Sequence, residues 1–285
     1  MNSLLTLPTC FDPGVYDNLP AEQYHADTAV GSSTLKKLAT MTPAHAKYGS
    51  FQRTDALEFG AAFDMCLLER EIFNTTYLRG PDDRRGKKWT EALDACERGQ
   101  ILMVAKDYDR VLENVEVVLS NPDVASLLSG NTIRQQSAFW IDKETGLRCK
   151  ARPDLINEDH ELMVDVKTTI SADPRMFGSQ CAKLGYHIQR AQYLDGYNGK
   201  YDRFLFLAIE KKHPFLACVY EMDQASAEAG YVLYRAMLNK YKQCSESGVW
   251  PGYPSGIQPL SLPTWAIGAG VDLGDTGEVL EEIEF

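Results

Sequence analysis

The 285-residue sequence predicts an α/β protein, a sheet flanked by helices, with an added helical part toward the N-terminus. Two observations lead there. Apolar runs with period-two alternation, near 133–141, 147–156, 162–168, 201–210 and 215–220, lie between turn residues and read as strands. Around them, apolar residues recur at helical spacing over about 54–72, 107–128, 183–200 and 224–246.

Composition narrows the class. Hydrophobic residues make up 44% and charged residues 24%, the balance of a soluble globular chain. No apolar run approaches the roughly 18–20 residues that span a bilayer. The first residues carry no basic segment followed by a long apolar one, so no secretory signal is expected. The seven cysteines are odd in number, widely spaced and free of C-x-x-C. They read as reduced thiols of a cytoplasmic protein, against a zinc site or an iron–sulfur cluster. The net charge of −11 does not suit a protein that coats DNA by bulk electrostatics, though an acidic protein with a locally basic groove is compatible with it. Basic charge is local instead, at Arg84, Arg85, Lys87 and Lys88 and at Arg148, Lys150 and Arg152.

In chain order, residues 1–20 carry Pro8, Pro13, Gly14 and Pro20 and read as an extended lead-in. A short helix follows over Leu35 and Leu38, with Ser32 or Ser33 as its N-cap. Ser33 there either holds a phosphate through free backbone N–H groups or belongs to an ordinary capped helix. The helix over 54–72 is apolar nearly all round and should be buried, yet Asp64 sits in its middle. A buried carboxylate needs a partner: a metal ion, an arginine, or a kink that exposes it. Gly60, one turn earlier, permits close approach of another backbone. The loop 79–88 holds Arg84, Arg85, Lys87 and Lys88, either against DNA phosphates or simply solvated. Asn121-Pro122 breaks the helix over 107–128.

The most informative stretch is Arg152-Pro153-Asp154 followed by Asp165-Val166-Lys167. Strands near 147–156 and 162–168 flank a turn at Asn157–His160. Parity places Arg148, Lys150, Arg152 and Asp154 on one side of the first strand. It places Asp165 and Lys167 opposite Leu162, Val164 and Val166 on the second. Two carboxylates on neighbouring strands suit one hard cation, and a lysine beside them suits charge developing on a phosphate. The pattern P-D-x(10)-D-x-K is a form of the PD-(D/E)xK nuclease motif; the competing reading is a solvated hairpin with a surface ion pair. In the helix over 183–200, Tyr186, Gln189, Tyr193 and Tyr197 form one stripe, flanked by His187 and Arg190. Such groups hydrogen-bond a phosphate, orient a carboxylate, or pack with their hydroxyls satisfied elsewhere. The segment 201–221 reads as a strand pair, 224–246 as an amphipathic helix and 251–263 as irregular.

Asp154, Asp165-Val166-Lys167 and the Gln189-x-x-x-Tyr193 element together resemble motifs II and III of the RecB-type PD-(D/E)xK nucleases. The wording from Tyr24 to Trp265 is most similar to the phage RecE-like exonucleases (the exonuclease VIII nuclease domain). The resemblance implies a PD-(D/E)xK core with a mixed central sheet, filling one domain over 21–265 before an acidic tail at 266–285. It implies a 5′→3′ exonuclease on linear double-stranded DNA that leaves 3′ overhangs. Mg²⁺ would be the cofactor, with Mn²⁺ as a substitute. It also implies work beside a RecT-like single-strand annealing protein, and a homo-oligomer that is toroidal in relatives. Carried over, Asp154 and Asp165 are metal ligands with the Val166 carbonyl, Lys167 is catalytic, and Gln189 and Tyr193 are accessory. Arg148, Lys150, Arg152, Tyr186 and Arg190 are expected at the DNA, with Ser33 and the Arg84–Lys88 loop. The family often has histidine as a ligand in the apolar helix, where this chain has Asp64. Another RecB-type nuclease, or a DNA-end-binding protein without chemistry, are the competing readings; the scattered cysteines argue against a Cas4-like protein.

Overall fold

The computed structural model describes residues 10–50 and 54–262. The chain divides after Pro251 into two units, and the described helices and strands all lie in the first. In the second, residues 252–262 have no helix or strand, as expected from their Pro/Gly content. The acidic tail expected at 266–285 lies outside the described residues. Among the described residues no helix is long and apolar enough to cross a membrane.

The first unit opens with β1 (Gly14–Tyr16), α1 (Ala21–Ala26), α2 (Ser32–Thr40) and α3 (Pro43–Tyr48). Next come α4 (Asp55–Leu68), α5 (Arg70–Thr76), β2 (Tyr77–Arg79), α6 (Lys87–Asp94), β3 (Ile101–Met103), α7 (Ala105–Leu119) and α8 (Pro122–Leu127). The strands β4 (Thr132–Arg134), β5 (Ser137–Ile141), β6 (Arg148–Ala151), β7 (Leu155–Asn157) and β8 (Leu162–Thr169) follow. Two helices, α9 (Pro174–Leu184) and α10 (Tyr186–Gly196), then lead to β9 (Arg203–Glu210), β10 (Ala217–Glu221) and α11 (Gln224–Ser247).

The central sheet has the order β10-β9-β8-β7-β4. It is mixed: β8 and β9 are parallel, with Val164 opposite Leu205 and Val166 opposite Leu207, and the other pairs are antiparallel. Parallel neighbours need a long crossover, which α9 and α10 supply. Helices cover both faces. Leu162, Val164 and Val166 join Phe63, Cys66 and Val115 in one core. Met163 joins Phe177, Tyr186, Tyr193, Phe204 and Phe206 in the other. This is the period-two segregation expected of β8. It leaves Asp165 and Lys167 on the face that α10 covers.

Two strands expected as continuous are each broken. The run 133–141 divides into β4 and β5, and 147–156 divides into β6 and β7. β4 pairs with β7 in the central sheet, whereas β5 pairs with β6 in a three-stranded sheet completed by β1. The hairpin thus bends as a unit. On one arm Gln135 takes φ 50°, the left-handed region that disfavours a side chain. On the other, Pro153 cannot donate to a ladder. Four further differences are local. The helix expected over 54–72 ends at Leu68, where Glu69 leaves helical geometry, and resumes as α5. The N-cap of α2 is Gly31 rather than Ser32 or Ser33. α9, expected only as a connection, carries Asp173 as its N-cap and Pro174 in its first turn. The lead-in contributes β1.

Candidate active site

The bend in the hairpin builds the site. With 152–154 off the ladder, the Asp154 side chain turns toward β8, and its Oδ2 accepts the Val166 N–H at 2.8 Å. The bond fixes Asp154 against the residue between Asp165 and Lys167. Its Oδ1 accepts from Gln135 Nε2 at 3.2 Å, and the Gln135 N–H donates to the Asp154 carbonyl at 3.1 Å. Asp165 is buried; its Oδ1 accepts from Gln189 Nε2 at 2.6 Å, and its Oδ2 pairs with Lys167 Nζ. Tyr193, also buried, stands next to Ser32 and Gln189. Asp64 enters from α4, where Gly60 lets the helix approach Thr168 of β8. The charged groups that act on Asp64 are Asp154, Lys167 and Asp165. The sequence pattern therefore gathers Asp64, Asp154, Asp165, Lys167, Gln189 and Tyr193 in one place.

A residue not anticipated from the sequence joins them. Lys36 of α2 donates from Nζ to Gln189 Oε1 at 2.9 Å. Its ammonium lies 5.4 Å from the centre of the Tyr186 ring, and Lys167 lies 5.0 Å from the same ring. Tyr186 is thus a buried cation–π platform beneath two lysines. Burial and the Lys167 charge bring Lys36 down to about 8. Burial also lowers the charged form of Lys167, but Asp165 and Asp154 outweigh it and hold that lysine above its ordinary range.

Negative charge exceeds positive among the closest groups: three carboxylates face two ammonium groups. Burial and Asp165 push Asp154 up to about 6. Burial and Asp154 push Asp64 well above the ordinary carboxylate range. Asp64 Oδ1 is buried with no hydrogen-bond partner, an arrangement that costs roughly 1–3 kcal/mol, more for an ionised group. A divalent cation matches this donor set of hard oxygens. Asp64, Asp154 and Asp165 would hold it, with the Val166 carbonyl as a further oxygen. The acids are not already drawn together as ligands: among the described residues no group of three or more His, Cys, Asp or Glu stands ready for a metal. Asp165 is engaged by Lys167 and Gln189, and Asp154 by Val166 and Gln135.

The residues expected at DNA are scattered. Lys150 is buried, and its Nζ donates to the Tyr24 and Asp27 carbonyls, each at 2.7 Å. Arg148 bonds the Phe11 carbonyl and pairs with buried Asp27 at 3.0 Å. Both tie the lead-in to β6, so the expected row of phosphate-facing bases is not formed. Of the basic residues on this strand only Arg152 lies beside the site, its Nε donating to Gln135 Oε1 at 3.1 Å; Tyr186 is in the site, beneath Lys36 and Lys167. The charges acting on Arg190 are Glu221 and Asp202, not the site's acids. In the loop and the start of α6, Arg84 pairs with Glu58, Arg85 with Asp83 and Lys87 with Glu91, while Lys88 is exposed. Ser33, Lys37 and Arg84 line a cleft of about 840 Å³ with Leu57 and Ala61, whose α4 also carries Asp64 one turn later.

The fold and this acid–lysine arrangement can be set against known proteins. Residues 31–261 match the model of a family described as a PDDEXK-like domain of unknown function, DUF3799. The chain belongs to that family. Among solved structures, it is similar to a candidate exonuclease from Eubacterium rectale, at 13% identity and a TM-score of 0.56, covering 90% of this chain and 99% of that one. That likeness concerns the fold. A phage-related exonuclease from Haemophilus somnus 129PT matches at 13% identity and a TM-score of 0.36, over 78% of this chain and 96% of the other. No curated protein matches. This DUF3799 chain therefore has a PDDEXK-like domain over most of its length. Its acidic and basic motif residues, Asp154, Asp165 and Lys167, lie together at the bend between sheets.

Proposed function

We propose that this DUF3799 chain is a metal-dependent exodeoxyribonuclease. It degrades linear double-stranded DNA in the 5′→3′ direction and leaves 3′ overhangs for recombination by strand annealing. One observation carries the nuclease reading: the Val166 N–H holds Asp154 against the Asp165-Val166-Lys167 segment. That bond brings Asp154 alongside the strand segment that carries Asp165 and Lys167. Polarity, duplex substrate and the RecT-like annealing partner rest on the resemblance of the motifs to RecE-like exonucleases, as does a homo-oligomer that encircles DNA.

Mg²⁺, with Mn²⁺ as substitute, would be held by Asp64, Asp154, Asp165 and the Val166 carbonyl. Bound there, it supplies Lewis-acid polarisation of the scissile phosphate and a water of lowered pKa. The chain's own groups do the rest. Lys167 is a full cation near neutral pH, and it stabilises charge on the phosphoryl oxygens or orients the attacking water. Gln189 donates to Asp165 and keeps that carboxylate aimed. Tyr193 stands beside Ser32 and Gln189 and helps to pack the Gln189 amide. Arg152 is the basic residue best placed for a neighbouring backbone phosphate, giving recognition without base contacts.

The direct pair between Lys167 and Asp165 favours one second reading, a protein that binds DNA ends without cutting them. Linear duplex labelled separately at each 5′ end, with Mg²⁺, Mn²⁺ or EDTA and a closed-circular control, separates the two. Early loss of 5′ label as mononucleotide, absent with EDTA and on circles, is expected. Cut circles would indicate an endonuclease. Bound but intact ends in both metals would favour the second reading.

A further inference from the structure

Two of the site's aspartates are held in the same way. Gln189 stands between Lys36 and Asp165: its Oε1 accepts from Lys36 Nζ at 2.9 Å and its Nε2 donates to Asp165 Oδ1 at 2.6 Å. Gln135 stands between Arg152 and Asp154: its Oε1 accepts from Arg152 Nε at 3.1 Å and its Nε2 donates to Asp154 Oδ1 at 3.2 Å. A carboxamide is nearly symmetric in shape but not in hydrogen bonding, so its two ends interchange unless a neighbour selects one. A lysine or arginine only donates. Each cation therefore fixes its glutamine with oxygen toward the base and nitrogen toward the acid. An ionised carboxylate only accepts, so it selects the amide nitrogen as well; without the cation the glutamine loses the anchor at its oxygen end and no longer holds the carboxylate in one place.

We propose that Lys36 and Gln135 are positioning residues of the acid site, each completing a cation–glutamine–aspartate relay that aims one carboxylate. The relay also keeps its base one amide away from the acid. Arg152 bonded directly to Asp154 would tie up a carboxylate meant for a cation; through Gln135 it orients that carboxylate without a direct ion pair. The backbone of Gln135 supports the assignment. Its φ of 50° is unfavourable for a residue with a side chain. It is retained where the Gln135 N–H and side chain both bond Asp154, which is how strain collects at functional positions. Lys36 reaches from α2 to α10, its ammonium bonded to Gln189 Oε1 and set against the Tyr186 ring.

The inference rests on the metal-site reading for its functional consequence, so its test has one arm that uses no metal. In the metal-free protein, the side-chain NH₂ signals of Gln189, assigned by their loss in Gln189→Leu, report its bond to Asp165. They should stand downfield in the wild type and collapse toward free-amide positions in Lys36→Met, with partial return in Lys36→Arg. Unchanged signals in Lys36→Met overturn the relay whether or not the protein binds metal. In the second arm, Mn²⁺ binding is measured by calorimetry. Lys36→Met and Gln135→Ala should each weaken it about tenfold, the low end for residues that orient metal ligands, and lower kcat with KM for DNA little changed. Full Mn²⁺ affinity with a raised KM would make Lys36 a phosphate contact and overturn the proposal. A wild type that shows the downfield amide but binds no Mn²⁺ would refute the metal reading alone.

Discussion

Replacing Asp154 by Asn should make the metal-free protein more stable while removing its proposed activity. Asp154 is raised from an ordinary 3.8 to about 6, by burial first and by Asp165 second. A raised carboxyl favours the folded state when protonated and opposes it when ionised. Its stabilising contribution is complete below pH 3.8 and is lost as the pH rises through about 6. Keeping this carboxyl ionised in the folded protein at neutral pH therefore costs about 3 kcal/mol. Asn keeps the shape and an acceptor for the Val166 N–H, but exchanges a charged acceptor for a neutral one and sets its NH₂ against Gln135 Nε2, a loss of about 2 kcal/mol in all. The net gain at pH 7.5 is then about 1 kcal/mol, or roughly 2–4 °C in Tm for a domain of this size. The assay is thermal unfolding in EDTA, wild type against Asp154→Asn, from pH 7.5 down to 4. The difference should shrink as the pH falls below 6. Equal or lower stability of the variant at pH 7.5 would refute the charge imbalance on which the metal argument rests.

Other outcomes follow from the same geometry. Asp64→Asn should abolish cleavage and the rise in Tm produced by Mg²⁺ or Mn²⁺, since Asp64 Oδ1 is a buried acceptor without a protein donor; an unchanged metal-induced rise would remove Asp64 from the ligand set. Lys150→Met should destabilise by about 2–4 kcal/mol, because two carbonyls lose a charged donor, while KM for DNA stays the same; denaturant titration and DNA titration check the two halves. Phe63→Ala should cost about 3–5 kcal/mol, since Phe63 is wholly buried between α4 and β8; a loss under 1 kcal/mol in urea would mean that α4 is not anchored there.

The motif was legible because β8 is regular. Alternation put Asp165 and Lys167 on one face, and the helical spacing of Tyr186, Gln189 and Tyr193 put them on another, and the two faces meet. Asp64 was legible as an anomaly, a carboxylate on a helix with no polar side. What the sequence concealed depends on bends and on contacts between distant segments. Gln135 reads as an ordinary strand residue until its left-handed backbone is seen. Lys36 precedes Gln189 by 153 positions, and no local pattern links them. In the sequence it is one of two adjacent lysines between Leu35 and Leu38. The basic row of Arg148 and Lys150 misled because parity fixes a side of a strand and not what covers it; here Tyr24, Asp27 and Phe11 do. The break of 147–156 at Pro153 was visible in principle, since proline ends a ladder.

The most direct test compares wild type with Lys167→Ala on linear duplex DNA in Mg²⁺, with circular dichroism and end binding measured on both. The wild type should release nucleotides only with divalent metal, and a folded, DNA-binding Lys167→Ala should release none above background. Cleavage by the variant at the wild-type rate, or cleavage by either protein in EDTA, would contradict an active site built on Asp154, Asp165 and Lys167.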